Sequence, residues 1–597
     1  MSRIIGIDLG TTNSLASYWD GSKSVLIQNR FGEYLTPSAV GIASDGSIII
    51  GKTAKERQLT ESGTCVTNFK RGMGTARQYT LGDKNFTAEE LSALVLKSLR
   101  EDAERFLGEK IEEAVVSVPA YFADKARKAT RRAGLLAGLK VERIVNEPSA
   151  AVLAFRQTHG DSDGKILVFD FGGGTLDVSL SDCFENVVEI TAVSGDNRLG
   201  GTDFDMTLAK KYCENFGMPF EAQAPQIQAF ILRAAERAKR VLTVSDWAEM
   251  IADCEGFKEG MRITRKDFIR MNMNNFERIG RPVKRVLQDG KIKPSDLSGV
   301  VLVGGSCKMQ VVQEYVRFLL KGTKVEAFHP DTMVALGVGA YAGMKERNIT
   351  SEDLILTDIC PFSLGTDVIN MSDHDNPLMN VIIPRNSALP TSRESIYVTS
   401  HDNQKVMNFG IYQGEDIYSK NNIKLEEFEF AVPPRPAGEE KVKLRFTYDI
   451  NGILLVDAVL LSRNEERHLV LGADDDSEYT KKQIEKLKEL RSAPWEAEEN
   501  KFLQAYAERV YQQLNDDYAK ERLSGQLLAF TGAMKTQQDV YEIQKEGKAL
   551  TALLKSLERE YLSEYEIHDK YIDEFLDWYE ERDIDEDEED SQGWNPK

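Results

Sequence analysis

Two stretches of this sequence share one pattern, an apolar run that ends at an Asp and then turns on glycine and threonine. The first runs IIGIDLGTT from Ile4 to Thr12, and the second runs KILVFDFGGGTLDVSL from Lys165 to Leu180. Three adjacent glycines cost roughly 0.5 to 1 kcal/mol each relative to alanine inside regular structure, so they must leave room for something. Alternation resumes after the second turn, and we therefore predict two hairpins whose turns have the size of a phosphate.

The chemistry of these turns suits a nucleotide. Glycine lets successive backbone N–H groups approach an anion, and threonine hydroxyls add donors without adding charge. The carboxylates of Asp8 and Asp170 cannot touch phosphate, but they can hold the waters around a Mg²⁺ that does. Two further glycine turns follow at Leu199–Asp203 and Val300–Ser306. An isolated turn of this kind is usually only a tight turn, whereas tandem copies are hard to explain in that way.

A second glycine motif, called here the decoy motif, matches a phosphate-binding pattern but lacks the sequence context that the pattern needs. Residues Gly46 to Thr53, GSIIIGKT, match the P-loop pattern G-x-x-x-x-G-K-[ST]. A P-loop needs small or polar residues between its glycines so that backbone N–H groups can face the phosphates. The β-branched run Ile48-Ile49-Ile50 after Asp45-Gly46 instead predicts a hairpin turn that leads into a strand.

The composition restricts the class of protein. Single cores stop growing near about 250 to 300 residues, so a chain of 597 residues with 41% hydrophobic content predicts two to four domains. The net charge of −21 argues against nucleic acid or an anionic membrane as the main partner. The six cysteines form no C-x-x-C pair, which favours a reducing compartment. The N-terminal segment lacks the pattern of a signal peptide, and no run approaches the ~18 apolar residues of a membrane helix, so we expect a cytoplasmic protein.

The order and spacing of several segments resemble the ATPase domain of the heat shock protein 70 chaperone family, which shares its fold with actin and the sugar kinases. The resemblance implies an α/β actin-like domain of two duplicated lobes over residues 1–350. It rests on six segments, which are Gly6 to Ser14, Val116 to Thr130, Arg143 to Phe155, Phe169 to Ser179, Leu199 to Asp205 and Leu302 to Met309.

The resemblance also implies roles for single residues, with ATP or ADP and Mg²⁺ as ligands. Asp8 and Asp170 are expected to hold Mg²⁺ through water. Lys70 is expected to position the attacking water, with Glu147 as its acidic companion; alone, Lys70 would be an ordinary surface lysine. Thr175 is grouped with Lys70, Glu147 and Asp170 as catalytic. The expected phosphate cradle is Gly10, Thr11, Thr12, Asn13, Gly172, Gly173, Gly174, Gly200 and Gly201.

A helical segment beyond the third glycine turn is the candidate for adenosine binding. Glu236, Lys239 and Thr243 share one face at helical spacing, which by itself predicts only a solvated surface. The resemblance makes this the adenosine helix, with Gly304, Gly305, Ser306 and Lys308 closing over the base. The family usually has Ser where Thr243 stands and Arg where Lys308 stands. Arg stacks on adenine better than Lys does, so we predict weaker nucleotide binding than is usual.

The residues after 350 distinguish a chaperone from the other proteins of this fold. Residues 351–358 are a short apolar segment flanked by acidic residues, and they resemble the interdomain linker of the chaperones. An exposed Leu354-Ile355-Leu356 is costly unless it docks in at least one state, which suits a switch element. Alternating residues and the Asn451-Gly452 turn predict an antiparallel β domain, assigned to residues 359–476. Helical periodicity then predicts helices from Glu478 onward, and the resemblance makes residues 477–582 the helical lid of the family. Residues 583–597 are acidic and are expected to form a solvated tail.

In the family, an extended peptide threads the sandwich. The matching positions here include an aromatic Tyr397 and a bulky Phe409, which lead us to expect an altered peptide preference. Packing in the sandwich core is the competing interpretation for Val368, Met407 and Phe409. The full set of matching positions is Thr366, Val368, Ile369, Tyr397, Val398, Ser400, Met407 and Phe409.

The resemblance further implies regulation and partners. Pro119, Arg127, Leu354, Leu356 and Asp358 match positions that relay the nucleotide state. Arg143, Asn146 and Asp358 lie near the surface where J-domain cochaperones dock, so such a partner is implied. The segment between Thr243 and Ile263 is shorter than the usual hairpin that exchange factors grip, so we expect weak dependence on an exchange factor. The short helical region and the absence of an EEVD ending resemble the bacterial HscC branch.

Three functions are therefore weighed. The favoured one is an ATP-driven chaperone of the stress-response type that binds unfolded or extended apolar segments of other proteins. A small-molecule kinase of the same fold would transfer phosphate to a metabolite rather than to water. A filament former would sediment in the presence of ATP. Neither alternative accounts for a linker, a sandwich and a lid.

Overall fold

The computed structural model describes most of the chain. The described residues are 3–43, 46–60, 64–159, 163–184, 187–252, 254, 257, 259–321, 323, 325–326, 330–346, 355–370, 373, 375–470, 495–514, 516–536 and 540–561. None of the helices in these ranges is long and apolar enough to cross a membrane.

The first part of the chain, to residue 159, is built on a mixed sheet with helices packed against it. Its strands are β1 (Ile4–Asp8), β2 (Asn13–Trp19), β3 (Ser24–Ile27), β4 (Thr36–Pro37), β5 (Ala39–Ile42), β6 (Ile48–Ile50), β7 (Cys65–Thr67), β8 (Gln78–Leu81), β9 (Lys84–Thr87), β10 (Glu113–Val118) and β11 (Lys140–Asn146). Its helices are α1 (Lys52–Thr60), α2 (Ala88–Leu107), α3 (Asp124–Leu136) and α4 (Glu147–His159). The main sheet has the order β11-β10-β1-β2-β3, with β4 paired to β2.

The second part, residues 164–345, repeats this arrangement. Its strands are β12 (Gly164–Phe171), β13 (Leu176–Phe184), β14 (Val187–Asp196), β15 (Trp247–Met250), β16 (Met261–Thr264), β17 (Gly299–Val303) and β18 (Val325–Glu326). Its helices are α5 (Gly201–Asn215), α6 (Pro225–Val244), α7 (Arg265–Met271), α8 (Met273–Asp289), α9 (Gln310–Leu319) and α10 (Met333–Lys345). The sheet order is β18-β17-β12-β13-β14.

The two sheets are copies of each other in strand direction. In the first, β1 is parallel to β10 and antiparallel to β2. In the second, β12 is parallel to β17 and antiparallel to β13. The two predicted hairpins are therefore present, and the duplication that the sequence pattern indicated extends to whole sheets. Each copy places its Asp at the carboxyl end of the middle strand.

The decoy motif folds as predicted for its middle residues. Strand β6 pairs with β5 in an antiparallel hairpin, with Val40 opposite Ile50 and Ile42 opposite Ile48. Helix α1 begins directly afterwards at Lys52, which the sequence pattern did not indicate. The Ile48–Ile50 backbone is thus committed to a ladder and cannot turn its N–H groups toward a phosphate.

Most of the described part of the expected linker is a strand. β19 (Ile355–Thr357) lies parallel to β14 at the edge of the second sheet, with Val187 opposite Ile355 and Glu189 opposite Thr357. Leu354 lies outside the described residues, and of Leu356 only the backbone is described. The docking that an apolar linker requires is therefore achieved by strand addition.

An antiparallel sandwich follows, as the alternation predicted. Its strands are β20 (Leu364–Val368), β21 (Leu378–Ile383), β22 (Thr391–Val398), β23 (Val406–Gln413), β24 (Ile423–Ala431), β25 (Lys441–Tyr448), β26 (Leu454–Leu460) and β27 (Glu465–Val470). Two four-stranded sheets, β21-β20-β23-β24 and β22-β25-β26-β27, enclose one apolar core. The predicted Asn451-Gly452 turn joins β25 to β26, with Gly452 at a φ of 69°.

Helices α11 (Trp495–Gln513), α12 (Asp517–Thr536) and α13 (Val540–Tyr561) complete the described chain. Val510, Leu514, Leu550, Leu554 and Leu557 share their apolar core, in agreement with the helical periodicity. Residues 477–494 and 562–582 of the expected lid, and the acidic tail, lie outside the described residues. Helix α11 packs against α1, where Arg509 pairs with Glu56 at 2.9 Å.

Candidate nucleotide site and peptide site

Three carboxylates meet where the duplicated strands end. Asp8 ends β1, while Asp170 and Asp177 face each other across β12 and β13. Burial, followed by the charge of Glu147, raises the pKa of Asp8 to about 7, although Lys70 opposes this. Burial and the charges of Glu147, Asp177 and Asp8 raise the pKa of Asp170 well above its usual value. A bound cation would stabilise the ionised form of carboxylates crowded in this way. Holding such a cation is the role expected for Asp8 and Asp170.

Lys70 and Glu147 form a buried ion pair. The Lys70 Nζ lies 2.9 Å from Glu147 Oε1, and both side chains are less than a tenth exposed. Lys70 belongs to a short 3₁₀ helix, Phe69–Gly72, and Glu147 is the first residue of α4. The pair that the resemblance implied is therefore brought together across 77 residues of sequence.

The glycine turns from the two halves face each other closely. A Cβ at Gly173 would overlap the Thr12 hydroxyl, and a Cβ at Gly200 would overlap the Gly174 backbone. The Gly201 N–H donates to the Gly172 carbonyl at 3.0 Å, which joins the second and third turns. These approaches explain why the sequence accepts the entropic cost of glycine here.

The remaining cradle residues lie around the same turns. Thr175 is buried, and its carbonyl accepts the Gly172 N–H at 3.0 Å. Ser306 donates its hydroxyl to the Gly172 carbonyl at 2.8 Å, which brings the fourth glycine turn to the second. Gly304 has a φ of 85°, and Gly10 donates its N–H to Ser14 at 3.2 Å.

Lys239 joins the helix that is expected to bind adenosine to the third glycine turn. Its ammonium donates to the Asp205 carboxylate at 2.7 Å and to the Gly201 carbonyl at 3.0 Å. Burial raises the pKa of Asp205 to about 6, although the charge of Lys239 lowers it. Helix α6 is thereby fixed to the third glycine turn.

The other residues expected to bind adenosine interact here with neighbouring protein groups. Burial would raise the pKa of Glu236, but Lys55 and Arg240 lower it to about 2. Thr243 donates its hydroxyl to the Arg240 carbonyl of its own helix at 2.6 Å. Lys308 is half-exposed and forms an ion pair with Asp331.

Sequence reasoning missed three residues of this site. Arg71 donates to the Gly174 carbonyl at 2.9 Å and to Asp203 at 2.7 Å, so it joins the first part of the chain to the second. Ser117 donates its hydroxyl to Asp8 at 2.8 Å. Burial and Glu147 raise the pKa of Asp177 to about 7, and its Oδ2 is buried without a partner in the described residues. Asp177 and Ser117 carried a signal, since Asp177 lies inside the KILVFDFGGGTLDVSL stretch and Ser117 lies in the matching segment Val116 to Thr130.

The expected peptide residues separate into two groups. Thr366, Met407 and Phe409 are buried, and Met407 and Phe409 belong to the sandwich core, as the competing interpretation allowed. Val368 is half-buried, whereas Ile369, Val398 and Ser400 are exposed. Tyr397 connects the groups, because its ring packs edge-to-face on Phe409 at 5.6 Å and its hydroxyl donates to Asn380 at 2.8 Å.

Two of the expected relay residues, Arg127 and Asp358, make contacts near the start of α4. Arg127 donates to the Asn146 side chain at 2.7 Å and to the Ala120 and Phe122 carbonyls, which fixes the turn after Pro119. Ser149, in the first turn of α4, donates a hydrogen bond to Asp358 after the linker strand. Glu147 therefore shares one helical turn with a linker contact.

The sandwich lies against the first part of the chain. Asp124 accepts the Leu454 N–H at 3.2 Å, and Asn451 accepts the Ile144 N–H at 3.3 Å. Arg143 donates to the Ile450 carbonyl at 3.0 Å. We call these contacts the docked interface. Asn146 and Asp358, which were expected near a cochaperone surface, are buried in this arrangement.

Comparison with known families agrees with this architecture. The family described as Hsp70 protein matches residues 4–80 and 75–578 of the chain. The chain therefore belongs to the Hsp70 family. Proteins of this family bind ATP or ADP with Mg²⁺ and hydrolyse ATP, and membership supports a chaperone role.

Proposed function

We propose that this protein is an ATP-dependent chaperone in which nucleotide binding and hydrolysis within residues 1–350 control the grip of the sandwich on extended apolar segments. The proposal is carried by one observation. Glu147, the partner of Lys70, and Ser149, the partner of Asp358, lie in the same first turn of α4. A change at the nucleotide site therefore has a short physical route to the linker.

The residues of the candidate site fit a magnesium nucleotide. The unpartnered Asp177 Oδ2 and the raised pKa values of Asp8 and Asp170 indicate a place for positive charge. The tight approach of Gly173 to Thr12 forms a cradle that side chains would fill. When bound, Mg²⁺ would neutralise charge on the phosphates.

The protein's own groups supply positioning. Lys70 is held by Glu147 in a buried site. Its ammonium is therefore already positioned to orient an attacking water, which lowers the entropic cost of the step. Gly172, Gly173, Gly174, Gly200 and Gly201 present backbone N–H groups, and Thr11, Thr12, Asn13 and Thr175 add side-chain donors. Lys239, Glu236, Thr243, Gly304, Gly305, Ser306 and Lys308 would hold the nucleoside.

The peptide site is proposed at the mouth of the sandwich. Ile369, Val398 and Ser400 are accessible, and the Tyr397 ring, next to Val398 in the chain, packs on the buried Phe409. Two aromatic rings at this point leave less room than smaller side chains would, which favours an altered peptide preference. A panel of apolar heptapeptides bound at the strength usual for the family would contradict this preference.

The partners and branch are also proposals. A J-domain cochaperone would act near Arg143, Asn146 and Asp358. The short segment between Thr243 and Ile263 supports weak dependence on an exchange factor, and together with the short helical region it supports assignment to the HscC branch. A large rise in ADP release with a general bacterial exchange factor would contradict the weak dependence. We propose a cytoplasmic location on the cysteine usage alone.

The first experiment is single-turnover ATP hydrolysis by the full chain, with and without an unfolded apolar peptide, in wild type and in Asp358→Ala. We expect peptide to accelerate hydrolysis in wild type only, because the variant loses the bond between Ser149 and the linker. Typical couplings of about 1 to 3 kcal/mol correspond to a roughly 5- to 150-fold change in peptide affinity between nucleotide states.

Asp83→Ala is the matched control, since Asp83 is an exposed aspartate in the turn between β8 and β9. Equal stimulation in Asp358→Ala would contradict the proposed route. Intact hydrolysis without any stimulation in wild type would contradict the coupled chaperone itself.

A further inference from the structure

A cluster of positive charge lies between helix α8 and the sandwich. The two surfaces border an open cavity of about 520 Å³. Arg278, Arg281, Lys284 and Arg285 line it from α8, and Arg385 lines it from the sandwich. Asp196 and Glu415 are the acidic residues of the lining. We call this cavity the cationic cleft.

The carboxylates around the cleft neutralise only part of this charge. Asp196 accepts two bonds from Arg278, at 2.8 and 3.0 Å. Asp289 pairs with Arg385 and lies 3.5 Å from Arg285. Glu415 is 3.9 Å from Arg385.

Two cations of the cleft are left over. Arg281 and Lys284 are exposed and have no ion pair with any residue in the described ranges. Five cations against three carboxylates leave an excess of two positive charges, in a protein whose net charge is −21. A basic helix face by itself would be a solvated surface. Here the cations face a cavity whose opposite wall supplies another arginine.

The cleft borders both the nucleotide site and the end of the linker. Tyr121 lines it and donates its N–H to Asp177 at 3.0 Å. The Tyr121 ring packs on Phe362, four residues beyond Asp358, at 4.3 Å. A ligand in the cleft would therefore contact residues that also touch the buried carboxylates and the sandwich.

We propose that the cationic cleft binds a small anion with two or more phosphate or carboxylate groups, and that this ligand stabilises the docked interface. Arginine forks match phosphate and carboxylate oxygens, and the cavity lies within the roughly 300 to 1,000 Å³ of ordinary small-molecule sites. Because the two walls come from different parts of the chain, the complete site exists only while they are together. Binding must then favour that arrangement by mass action.

The binding test uses the full chain saturated with Mg²⁺ and a non-hydrolysable ATP analogue, so that the nucleotide site cannot take the probe. Inorganic triphosphate and benzene-1,3,5-tricarboxylate are titrated by calorimetry against sodium chloride of equal ionic strength. We expect at least one probe to bind, and the probe that binds more tightly identifies phosphate or carboxylate as the preferred group. Binding by neither probe overturns the proposal.

Two double variants, each of which removes two positive charges, distinguish binding in the cleft from a general effect of net charge on the affinity for the probe. Arg281→Gln/Lys284→Gln removes the two unpaired cations of the cleft. Lys266→Gln/Arg317→Gln removes two exposed cations elsewhere in the second part of the chain. We expect at least tenfold weaker binding in the cleft variant and less than a twofold change in the control. Equal weakening in both variants overturns the specific site.

Hydrogen exchange tests the effect on docking without reference to chaperone activity. At a probe concentration ten times its dissociation constant, the open state should be populated about tenfold less. Exchange should slow by that factor in segments containing Ile144 and Leu454, whose N–H groups bond across the docked interface. Binding without slower exchange overturns the stabilisation. The role in regulation rests on the proposed function, but a chain that binds the probe and lacks peptide-stimulated hydrolysis refutes only that function.

Discussion

Arg127 donates a 2.7 Å hydrogen bond to Asn146, the residue directly before Glu147. A Cβ placed on Gly452 would lie 3.1 Å from the same arginine. One buried side chain thus lies between the residue that precedes Glu147 and the turn by which the sandwich meets the first part of the chain. Arg127 therefore offers a direct physical connection between that turn and Glu147.

Arg127→Ala should uncouple the proposed nucleotide site from the sandwich. The variant loses the bonds to Asn146 and to the Ala120 and Phe122 carbonyls, and leaving such buried groups unpaired costs about 1 to 3 kcal/mol. We expect the peptide affinities in ATP and in ADP to differ by less than about twofold, below the range of typical couplings. Fluorescence anisotropy with a labelled peptide measures both affinities.

Arg132→Ala on the same helix is the control, since Arg132 pairs only loosely with Glu89 at 3.5 Å. Its affinities should match wild type. Preserved coupling in Arg127→Ala would show that the nucleotide state reaches the sandwich by another route.

Lys70→Ala should slow ATP hydrolysis strongly while nucleotide still binds. Removing one positioned charge of this kind typically costs about 10²- to 10³-fold in rate. The change also leaves Glu147 buried without its partner, which threatens the fold. Lys70→Ala/Glu147→Gln removes that unpaired charge, so its melting temperature should recover while single-turnover hydrolysis stays low. Hydrolysis restored together with the fold would assign Lys70 a structural role only.

Lys308→Arg should tighten nucleotide binding. Lys308 pairs with Asp331, and an arginine could keep that pair while adding a planar face for the base. A cation–π gain of about 0.5 to 1 kcal/mol corresponds to roughly 2- to 5-fold in affinity. Calorimetric titration with ADP checks this, and an unchanged constant would mean that the base does not lie over this side chain.

Asp177→Asn should stabilise the nucleotide-free protein at high pH. The folded-state pKa of Asp177 is about 7, above its ordinary value, so ionisation opposes folding. Wild-type stability should fall, relative to the variant, as pH rises from about 4 to 7. The penalty is complete above pH 7 and absent below about 4, where the carboxyl is protonated in both states.

Thermal unfolding of the nucleotide-free protein at pH 5 and pH 8 measures this difference. The two proteins should be separated by a few kcal/mol at pH 8 and by much less at pH 5. Equal melting temperatures at both pH values would show that Asp177 is not strained by burial. Thr75, an exposed residue, offers a neutral control in Thr75→Ser.

Local patterns predicted more of the fold than of the site. The hairpins at Asp8 and Asp170 follow from alternation within about a dozen residues, and the sandwich strands do also. The pairing of Lys70 with Glu147 joins residues 77 positions apart, and only the family resemblance suggested it. Arg71 was missed because its partners Gly174 and Asp203 lie more than 100 residues away.

Other contacts have local causes. A threonine near a helix end can donate to its own backbone, and Thr243, which is expected to face a nucleoside, bonds the Arg240 carbonyl. The basic residues of α8 were visible in the sequence. Their meaning depends on Arg385, which only tertiary structure brings opposite them.

The parallel pairing of β19 with β14 has one more consequence. Without β19, the backbone N–H and C=O groups of Val187 to Glu189 would form an open sheet border, which is a template for any extended chain. Whenever the linker leaves, a protein proposed to hold unfolded segments would offer them a second, unselective place to attach. The strand that connects the two halves of this molecule therefore also protects it from the kind of chain it is proposed to bind.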